Sequence, residues 1–338
     1  MDKKVLMDAL EKVKPGLAGK ELIEQTTSFA FIKGRVVTYN DEISISHPVE
    51  GLDITGAVAA EEMYKILGKI KQEEIDITLK GSEILIKAGK GKIGLNLQKE
   101  IILPLEEIPE MEDWYDIPKG FFNAIKLVIY SCDKNPANAI MNSIHVHQDG
   151  YLEGCDNYRL IQYRLEDKMP VSTFLLPIAS AQNIRKLAPI KMGESKGWIH
   201  FKTKAGTIIS CRILKDKYPD SANVLKAKGK ALKLPKTIWE ILDKATVFAK
   251  KNEVDWQMVT VTLDDGKIII RSDSETGWYE EEKRIRFFED SVKFMIAPGQ
   301  LKEILEETQT CNLGKATLVF SGEKWKYVVM LAAIKKDK

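Results

Sequence analysis

The sequence predicts an α+β protein built from one supersecondary pattern that occurs three times along the chain. Three hairpin dipeptides, Lys33-Gly34, Asp149-Gly150 and Asp265-Gly266, recur at intervals of about 116 residues. Each lies between runs rich in β-branched and aromatic residues, as in antiparallel strands joined by a tight turn that needs glycine. Helix starts recur too, with proline in the first turn of Ile117-Pro118-Lys119 and of Leu234-Pro235-Lys236. A repeat this long indicates similar stacked domains and not a solenoid.

The first repeat predicts a helix, three strands, a second helix and three more strands. Apolar residues recur at helical spacing from Val5 to Val13 and from Met63 to Ile70, with lysines around both apolar faces. Between and after these helices, residue types alternate as they do in half-buried strands. The expected strands are 28–32, 35–39, 42–46, 75–79, 83–87 and 92–97.

The second and third repeats predict the same order of elements. Their helices are expected at 121–130, 178–187, 238–249 and 301–307. Their strands are expected at 142–147, 151–155, 158–165, 198–202, 207–213, 258–261, 267–271, 278–284, 315–320 and 327–331. Each repeat thus places two helices on antiparallel sheets. We expect three similar domains at 1–107, 114–222 and 230–338, with linkers near 103–116 and 218–234.

The composition is that of an ordinary globular protein and excludes several classes. Lysine and arginine number 51 against 49 aspartates and glutamates, so the net charge of +2 neither requires nor excludes a nucleic-acid partner. No run approaches the roughly 18 apolar residues of a membrane span, and no secretory signal pattern is visible. The four cysteines form no CxxC pair, which favours reduced packing residues in a cytoplasmic protein and leaves a disulfide open.

No motif predicts catalysis, a metal or a cofactor. Gly89-Lys90-Gly91-Lys92 resembles a phosphate-binding loop, but that loop needs Ser or Thr after the lysine and then a helix, so a hairpin turn is expected. His145 and His147 share one strand face without an evident third ligand. The acidic runs Glu112-Asp113 and Glu280-Glu281-Glu282 lack the spaced partner acid or histidine of a metal-dependent nuclease, so solvated surface is expected there.

Basic residues recur on the predicted helices. A solvated helix face explains any one of them, but recurrence in most of the helices favours a shared surface that faces phosphates. The residues are Lys12, Lys14, Lys65, Lys69, Lys126, Arg185, Lys186, Lys244, Lys250 and Lys251.

Four segments, in order along the whole chain, resemble the beta subunit of bacterial DNA polymerase III, the sliding clamp. Residues 108–114 resemble that family's F-P-N-L-D-D-W linker, and Asp149-Gly150 with residues 155–160 resembles its D-G…T-D-G-H-R-L strand pair. Residues 218–225 are similar to F-P-D-Y-x-x-V-L, and residues 327–330 to the start of Y-V-V-M-P-M-R. The match departs from the family at Asn157-Tyr158 and in the segment after Met330, which ends in a basic tail. These departures point to a divergent member, for which a viral origin is one explanation.

The resemblance implies a ring. Two three-domain subunits would join head to tail, and the helices of six domains would line a hole around duplex DNA. Such a clamp is not an enzyme; it tethers a DNA polymerase and is placed on DNA by a clamp loader. By correspondence, the loop residues Lys20 and Asn135 would contact the duplex. The interface between the first domain of one subunit and the third of the other would contain Ile93, Leu95, Val247 and Phe248.

The resemblance also implies a peptide-binding pocket between the second and third domains, where methionine and aliphatic side chains provide an adaptable apolar cleft. The corresponding residues are Met141, Cys155, Asn157, Tyr158, Arg159, Leu160, Pro219, Val224, Met330 and Leu331, with Ala332 and Ala333 at the rim. Two alternatives stay open: a metal-dependent nuclease or other nucleic-acid enzyme that uses the acidic runs, and a structural oligomer with no DNA role.

Overall fold

The computed structural model describes residues 1–214, 216–251 and 256–334. These residues form two compact units. Unit 1 comprises Met1–Pro118 and Met169–Lys215, and unit 2 comprises Lys119–Lys168 and Asp216–Lys338. The segment 114–222 contributes to both units, so the division into three domains stays a prediction. The basic tail, residues 335–338, lies outside the described residues.

The described chain alternates helices with short strands. Its α-helices are α1 (Lys3–Val13), α2 (Ala60–Lys69), α3 (Phe121–Val128), α4 (Ile178–Leu187), α5 (Ala222–Leu225), α6 (Ile238–Thr246) and α7 (Lys302–Glu307). Its strands are β1 (Ser28–Ile32), β2 (Arg35–Tyr39), β3 (Ile43–Pro48), β4 (Gly56–Ala59), β5 (Asp76–Lys80), β6 (Glu83–Ala88), β7 (Gly91–Asn96), β8 (Tyr115–Asp116), β9 (Ser143–His147), β10 (Tyr151–Cys155), β11 (Arg159–Arg164), β12 (Phe174–Pro177), β13 (Lys191–Ser195), β14 (Trp198–Lys202), β15 (Ile208–Arg212), β16 (Lys230–Lys233), β17 (Val259–Asp264), β18 (Lys267–Ser274), β19 (Gly277–Arg284), β20 (Val292–Ile296), β21 (Thr310–Leu313), β22 (Thr317–Ser321) and β23 (Trp325–Met330).

Unit 1 is built on an eight-stranded antiparallel sheet in the order β4-β1-β2-β3-β15-β14-β13-β8, beside a three-stranded sheet β5-β6-β7. Helix α1 begins where the Asp2 carboxylate accepts a hydrogen bond from the Lys4 N–H at 2.7 Å, which satisfies a free donor of the first turn. Its apolar face buries Leu6 and Leu10 completely, and each such side chain contributes about 1.5–3 kcal/mol of hydrophobic stabilisation. The charged face of α1 is left at the surface.

Unit 2 has the same kind of architecture. Its strands run β9-β10-β11-β23-β22-β21-β16 in one antiparallel sheet, and β19-β18-β17-β20 form a second, four-stranded sheet. Strands β11 and β23, which are far apart in the sequence, pair with Leu160 opposite Val328. In unit 1, β3 pairs with β15 in the same way, with Ile45 opposite Ile209. Each large sheet is therefore continuous across a predicted domain boundary.

The structure confirms antiparallel sheets with helices packed on them and also confirms the three hairpins. Gly34, Gly150 and Gly266 all have positive φ, at 70°, 81° and 69°. The loop at 89–92 is the turn between β6 and β7, as expected. Two helix predictions are too long: α3 ends at Val128 and is followed by a 3-10 turn over Ile129–Ser131, and α6 ends at Thr246. The helix predicted at 301–307 agrees with α7 to within one residue.

The sequence pattern missed several strands, mostly at sheet edges. These are β4, β8, β12, β13, β16, β20 and β21. Strand β13 shows why: its sequence Lys-Met-Gly-Glu-Ser has no β-branched or aromatic residue. Gly193 in that strand is required by packing, because a Cβ there would lie 2.7 Å from the backbone carbonyl oxygen of Asp113. Glycine at a close approach breaks the alternation that strand prediction depends on.

A buried histidine makes the stability of unit 1 depend on pH. His200 is 1% exposed, and its ring nitrogens lie 2.6 Å from Ser195 Oγ and 2.8 Å from Ser210 Oγ. Burial lowers the pKa of His200 from its usual 6.5 to about 4. Between pH 6.5 and 4, His200 binds a proton in the unfolded chain but not in the folded chain. The folding stability that this histidine contributes above pH 6.5 is therefore lost as the pH falls towards 4.

We therefore expect the His200→Gln variant to show a shallower acid destabilisation than the parent protein. The difference between the two unfolding free energies should change by up to about 3 kcal/mol between pH 6.5 and 4, since each pKa unit corresponds to 1.36 kcal/mol. Urea unfolding at half-unit pH steps measures this difference. Parallel pH profiles for the two proteins would show that His200 does not titrate as inferred.

Candidate functional site

An apolar cavity of about 160 Å³ lies in unit 2, lined by four separate segments of the chain. It brings together most of the predicted pocket residues: Met141, Cys155, Asn157, Tyr158, Arg159, Leu160, Pro219, Val224 and Met330, joined by Asp220, Ser221 and Val328. The structure does not place Leu331, Ala332 or Ala333 in this lining. The Leu331 N–H donates to the Ala316 carbonyl, and Ala332 pairs with Met295 along the outer edge of β20.

A tight turn between β10 and β11 forms one side of the apolar cavity. Asp156 Oδ1 accepts hydrogen bonds from the backbone N–H groups of Tyr158 and Arg159 at 3.2 and 3.1 Å. Asp156 Oδ2 pairs with Arg159 Nε at 2.8 Å, and both side chains are more than 90% buried. Asn157 has a φ of 70°, a left-handed conformation that asparagine tolerates better than most residues. Asparagine can therefore replace the glycine of the resembling motif without loss of the turn.

The opposite wall of the apolar cavity is the short helix α5, which is anchored at both ends. At its start, Ser221 Oγ donates to Glu153 Oε1 at 2.6 Å. At its end, Lys326 Nζ donates to the Leu225 and Ala227 carbonyls at 2.5 and 3.1 Å. A helix of four residues is not stable alone, so these contacts hold it in place. As a result, Val224, 42% exposed, is presented to the cavity in a fixed position.

Glu153 is a buried carboxylate at the centre of this anchor. It is 3% exposed and accepts hydrogen bonds from Gln162 at 2.8 Å and from Ser221, with His145 Nδ1 at 3.1 Å. Burial by itself would raise the pKa of Glu153, but the hydrogen bonds outweigh it and the net pKa is lowered. The carboxylate therefore stays ionised and accepts all three hydrogen bonds.

The two histidines considered as metal ligands are used in packing. The His145 ring stacks on Tyr218 with ring centroids 4.7 Å apart, and His147 stacks on Tyr151 at 4.3 Å. Within the described ranges, no three His, Cys, Asp or Glu side chains gather as metal ligands would. All four cysteines are buried and free of disulfides.

Seven of the predicted DNA-contacting residues lie in unit 1. Lys12 is in the last turn of α1 and Lys14 directly follows α1, whereas Lys65 and Lys69 lie on α2, which packs against α1. Lys12 Nζ is 3.3 Å from His47 Nε2, the Lys14 ammonium lies 4.2 Å from the centre of the Tyr64 ring, and Lys65 pairs with Glu61. The other three, all exposed, are Lys20 in the loop after α1 and Arg185 and Lys186 in the last turn of α4.

The remaining predicted DNA contacts lie in unit 2 and are exposed. Lys126 is on α3, Asn135 is in the loop that follows it, Lys244 is on α6, and Lys250 and Lys251 come after α6. The Asn135 loop has a defined shape, because its N–H donates to the Asp133 carboxylate at 2.9 Å. Lys244 pairs with Glu281 at 3.3 Å, which makes it less available to phosphate.

The predicted subunit-interface residues lie beside edge strands. Ile93 and Leu95 are half-buried on β7, opposite Ile86 and Ile84 of β6. Val247, directly after α6, is 74% exposed, and Phe248 packs over Gly277 of β19. Within each unit's described residues, β7 and β19 pair with one neighbouring strand and leave their other edge open.

Solved structures match this arrangement over nearly the whole chain. The DNA polymerase III beta subunit from Pseudomonas aeruginosa has a TM-score of 0.83 and 16% identity, with 99% of each chain covered. The beta subunit from Thermotoga maritima has a TM-score of 0.80 and 16% identity, covering 99% of this chain and 98% of its own. The DNA polymerase sliding clamp from Bacillus subtilis has a TM-score of 0.81 and 16% identity, covering 99% of this chain and 98% of its own. The chain has the fold of the DNA polymerase III beta subunit.

The likeness to beta subunits is one of structure. No protein-family model matches the sequence, and no curated protein matches it. At this identity most side chains differ, so the beta-subunit fold fixes where the strands and helices lie but not the chemistry of each site. None of the described helices could cross a lipid bilayer, because each is too short or too polar.

Three polar residues at or near the apolar cavity were missed by sequence reasoning. Glu153 and Lys326 anchor α5, and Gln300 is buried in the lining of an adjacent, larger cavity. Glu153 carried a signal, since a single acid within the otherwise uncharged strand β10 indicates a buried and partnered charge. Lys326 and Gln300 carried none, because lysine and glutamine are ordinary surface residues.

Proposed function

We propose that this protein is a DNA sliding clamp, a non-enzymatic cytoplasmic processivity factor. Two copies, each of three similar domains, close head to tail into a ring around duplex DNA and tether a replicative DNA polymerase during replication. A clamp loader opens the ring. The observation that carries the proposal is the match to beta-subunit structures over 99% of the chain at a TM-score of 0.83.

The open edges of β7 and β19 support the ring. An exposed edge offers unpaired backbone N–H and C=O groups that a strand of a second copy can complete. Lys92 in β7 and Lys90 just before it are exposed cations, whereas β19 carries the acidic run Glu280-Glu281-Glu282 ahead of Lys283 and Arg284. Opposite charges favour pairing β7 of one subunit with β19 of another over pairing either strand with itself. Such a contact is heterologous, and two of them close a dimer.

The exposed lysines support contact with DNA backbone. They lie on five helices or in adjoining loops. Phosphate contacts carry no sequence information and weaken steeply with salt. A ring that encircles DNA is held on it by topology, so weak phosphate contacts are sufficient. This agrees with a net charge of only +2.

The apolar cavity supports a peptide partner. Leu160, Val224, Val328 and Met330 offer aliphatic and thioether surface, which accepts side chains such as leucine and phenylalanine from a short segment. The same cavity can serve the polymerase and the clamp loader in turn, since each would need to present only a few anchors.

The nuclease alternative loses support at one of its two acidic runs. Glu280, Glu281 and Glu282 pair with Arg271, Lys244 and Lys267 at 3.2–3.3 Å, as carboxylates of a charged surface do. A structural oligomer without a DNA role is distinguished from a clamp by the assay below.

Retention on circular DNA tests the proposal. The protein is diluted to separate its subunits and then reconcentrated with nicked circular DNA, followed by gel filtration in high salt that removes ordinary phosphate contacts. We expect the protein to stay with the circle and to be released when a restriction enzyme linearises it, because only a topological link is lost at DNA ends. Equal retention on circles and linear fragments, or none on either, would contradict the clamp.

A further inference from the structure

The apolar cavity of unit 2 contains the most exposed methionine of the chain. All ten methionines lie within the described residues. Three are buried, six are half-buried, and Met330, which lines the cavity, is 44% exposed. The backbone of Met330 is fixed, because this residue ends β23 and its N–H donates to the Tyr158 carbonyl at 2.8 Å. The end of a paired strand therefore presents the Met330 side chain to solvent.

An exposed thioether is open to oxidation by hydrogen peroxide. A sulfur lone pair attacks one peroxide oxygen, so that an S–O bond forms while the O–O bond breaks. The sulfur is oxidised by two electrons and the peroxide is reduced; the sulfur-bound O–H gives its proton to the departing hydroxide, which leaves as water. The product, methionine sulfoxide, is polar, and thiol-dependent reductases return it to the thioether. Because the peroxide must reach the sulfur, Met330 should react before the nine less exposed methionines.

The cysteines compete poorly for the oxidant. Cys155 also lines the apolar cavity, but it is 9% exposed, and burial raises the pKa of its thiol. Burial also raises the pKa of the Cys132 and Cys211 thiols, and that of the Cys311 thiol to about 12. The thiolate is the nucleophilic form of cysteine, so these buried thiols react slowly.

We propose that Met330 is a reversible oxidation site that controls peptide binding to the apolar cavity. Oxidation places a sulfoxide oxygen in a lining that Met330 shares with Leu160 and Val224. A bound leucine or phenylalanine side chain would cover this oxygen and offer it no hydrogen-bond donor. Peptide affinity therefore falls on oxidation and returns on reduction. The proposal rests on the proposed function, because the regulated cavity is the one that a polymerase or a clamp loader would occupy.

The test treats the full-length protein with limiting hydrogen peroxide and maps its fragments by mass spectrometry. We expect the added oxygen first at Met330. In fluorescence polarisation, the treated protein should bind a labelled peptide with spaced leucine and phenylalanine anchors about tenfold more weakly than the untreated protein, because the peptide would bury an unpaired polar group. Methionine sulfoxide reductase with a thiol reductant should restore the affinity.

Two variants assign the effect to one sulfur. Met330→Leu keeps an aliphatic side chain without sulfur, so its peptide affinity should not change on treatment. Met141→Leu removes the other, half-buried methionine of the cavity and should lose affinity on treatment as the parent does. Each variant is compared with its own untreated sample, so that differences in starting affinity cancel. An equal loss of affinity in treated Met330→Leu, or full affinity in parent protein that carries the Met330 sulfoxide, would overturn the proposal.

Failure of the oxidation site can be told apart from failure of the clamp. A fragment map in which other methionines are oxidised before Met330 would overturn the oxidation site, whether or not the peptide binds. Absence of peptide binding by the untreated protein would contradict the peptide site and its control together. Retention on circular DNA should be the same before and after treatment, because it depends on ring closure and not on the apolar cavity.

Discussion

Replacing Phe248 by aspartate is expected to convert dimers into monomers. Phe248 lies after α6, against Gly277 of the open-edged strand β19. An aspartate there would be buried without a partner at the proposed interface, beside an already acidic strand, and isolated buried charges cost several kcal/mol. The proposed ring would have two identical interfaces, so the penalty would apply twice. We expect sedimentation to show monomers at concentrations where the parent is dimeric, with the dissociation constant raised at least about a hundredfold (about 3 kcal/mol).

A second variant guards against a folding defect. Val247 is 74% exposed in the free chain, so Val247→Asp should leave the melting temperature unchanged and still weaken the dimer. Phe288→Asp, at a phenylalanine that is 90% exposed outside the proposed interface, is the matched control and should remain dimeric. Dimers that persist in both Phe248→Asp and Val247→Asp would remove these residues from the subunit interface.

The Met330→Asp variant is expected to abolish peptide binding. Met330 is the last residue of β23, is 44% exposed, and lines the apolar cavity with Val224 and Leu160. A bound apolar side chain would have to desolvate the new carboxylate without pairing it. For a peptide with spaced leucine and phenylalanine anchors, we expect affinity in fluorescence polarisation to fall by about a hundredfold or more.

Two controls make the Met330 result specific. Leu79→Asp changes a similarly exposed residue, 48% exposed on β5 in unit 1, and should bind the peptide as the parent does. Sedimentation of Met330→Asp should still show dimers, because the substitution lies outside the proposed interface. Peptide affinity unchanged in Met330→Asp would place the binding site elsewhere.

Local sequence signals predicted local structure well. The three hairpins could be predicted because a tight turn needs a residue with positive φ, which favours glycine. Gly34, Gly150 and Gly266 occupy these positions. The residues of the apolar cavity were reached through the resemblance of the segments around Cys155, Pro219 and Met330 to the beta-subunit family, and the structure brings most of them together. The roles of these residues, like those of the lysines and the interface positions, stay predictions.

Long-range pairing could not be predicted in the same way. The register of β3 on β15 and of β11 on β23 depends on strand edges that meet only after folding. Strands with alternating apolar and polar residues have similar sequences, so the pattern does not show which strand pairs with which. The polar contacts of Glu153 and Lys326 depend likewise on tertiary neighbours. The sequence pattern therefore predicted the elements and the motif positions, whereas the anchoring of α5 required the structure.

Electron microscopy of the protein, at a concentration above the dissociation constant of the dimer, tests most directly the central claim that the protein forms a ring around DNA. The account predicts a flat ring of two subunits with a central opening wide enough for a DNA double helix. A compact particle without such an opening, whatever its number of subunits, would contradict this account.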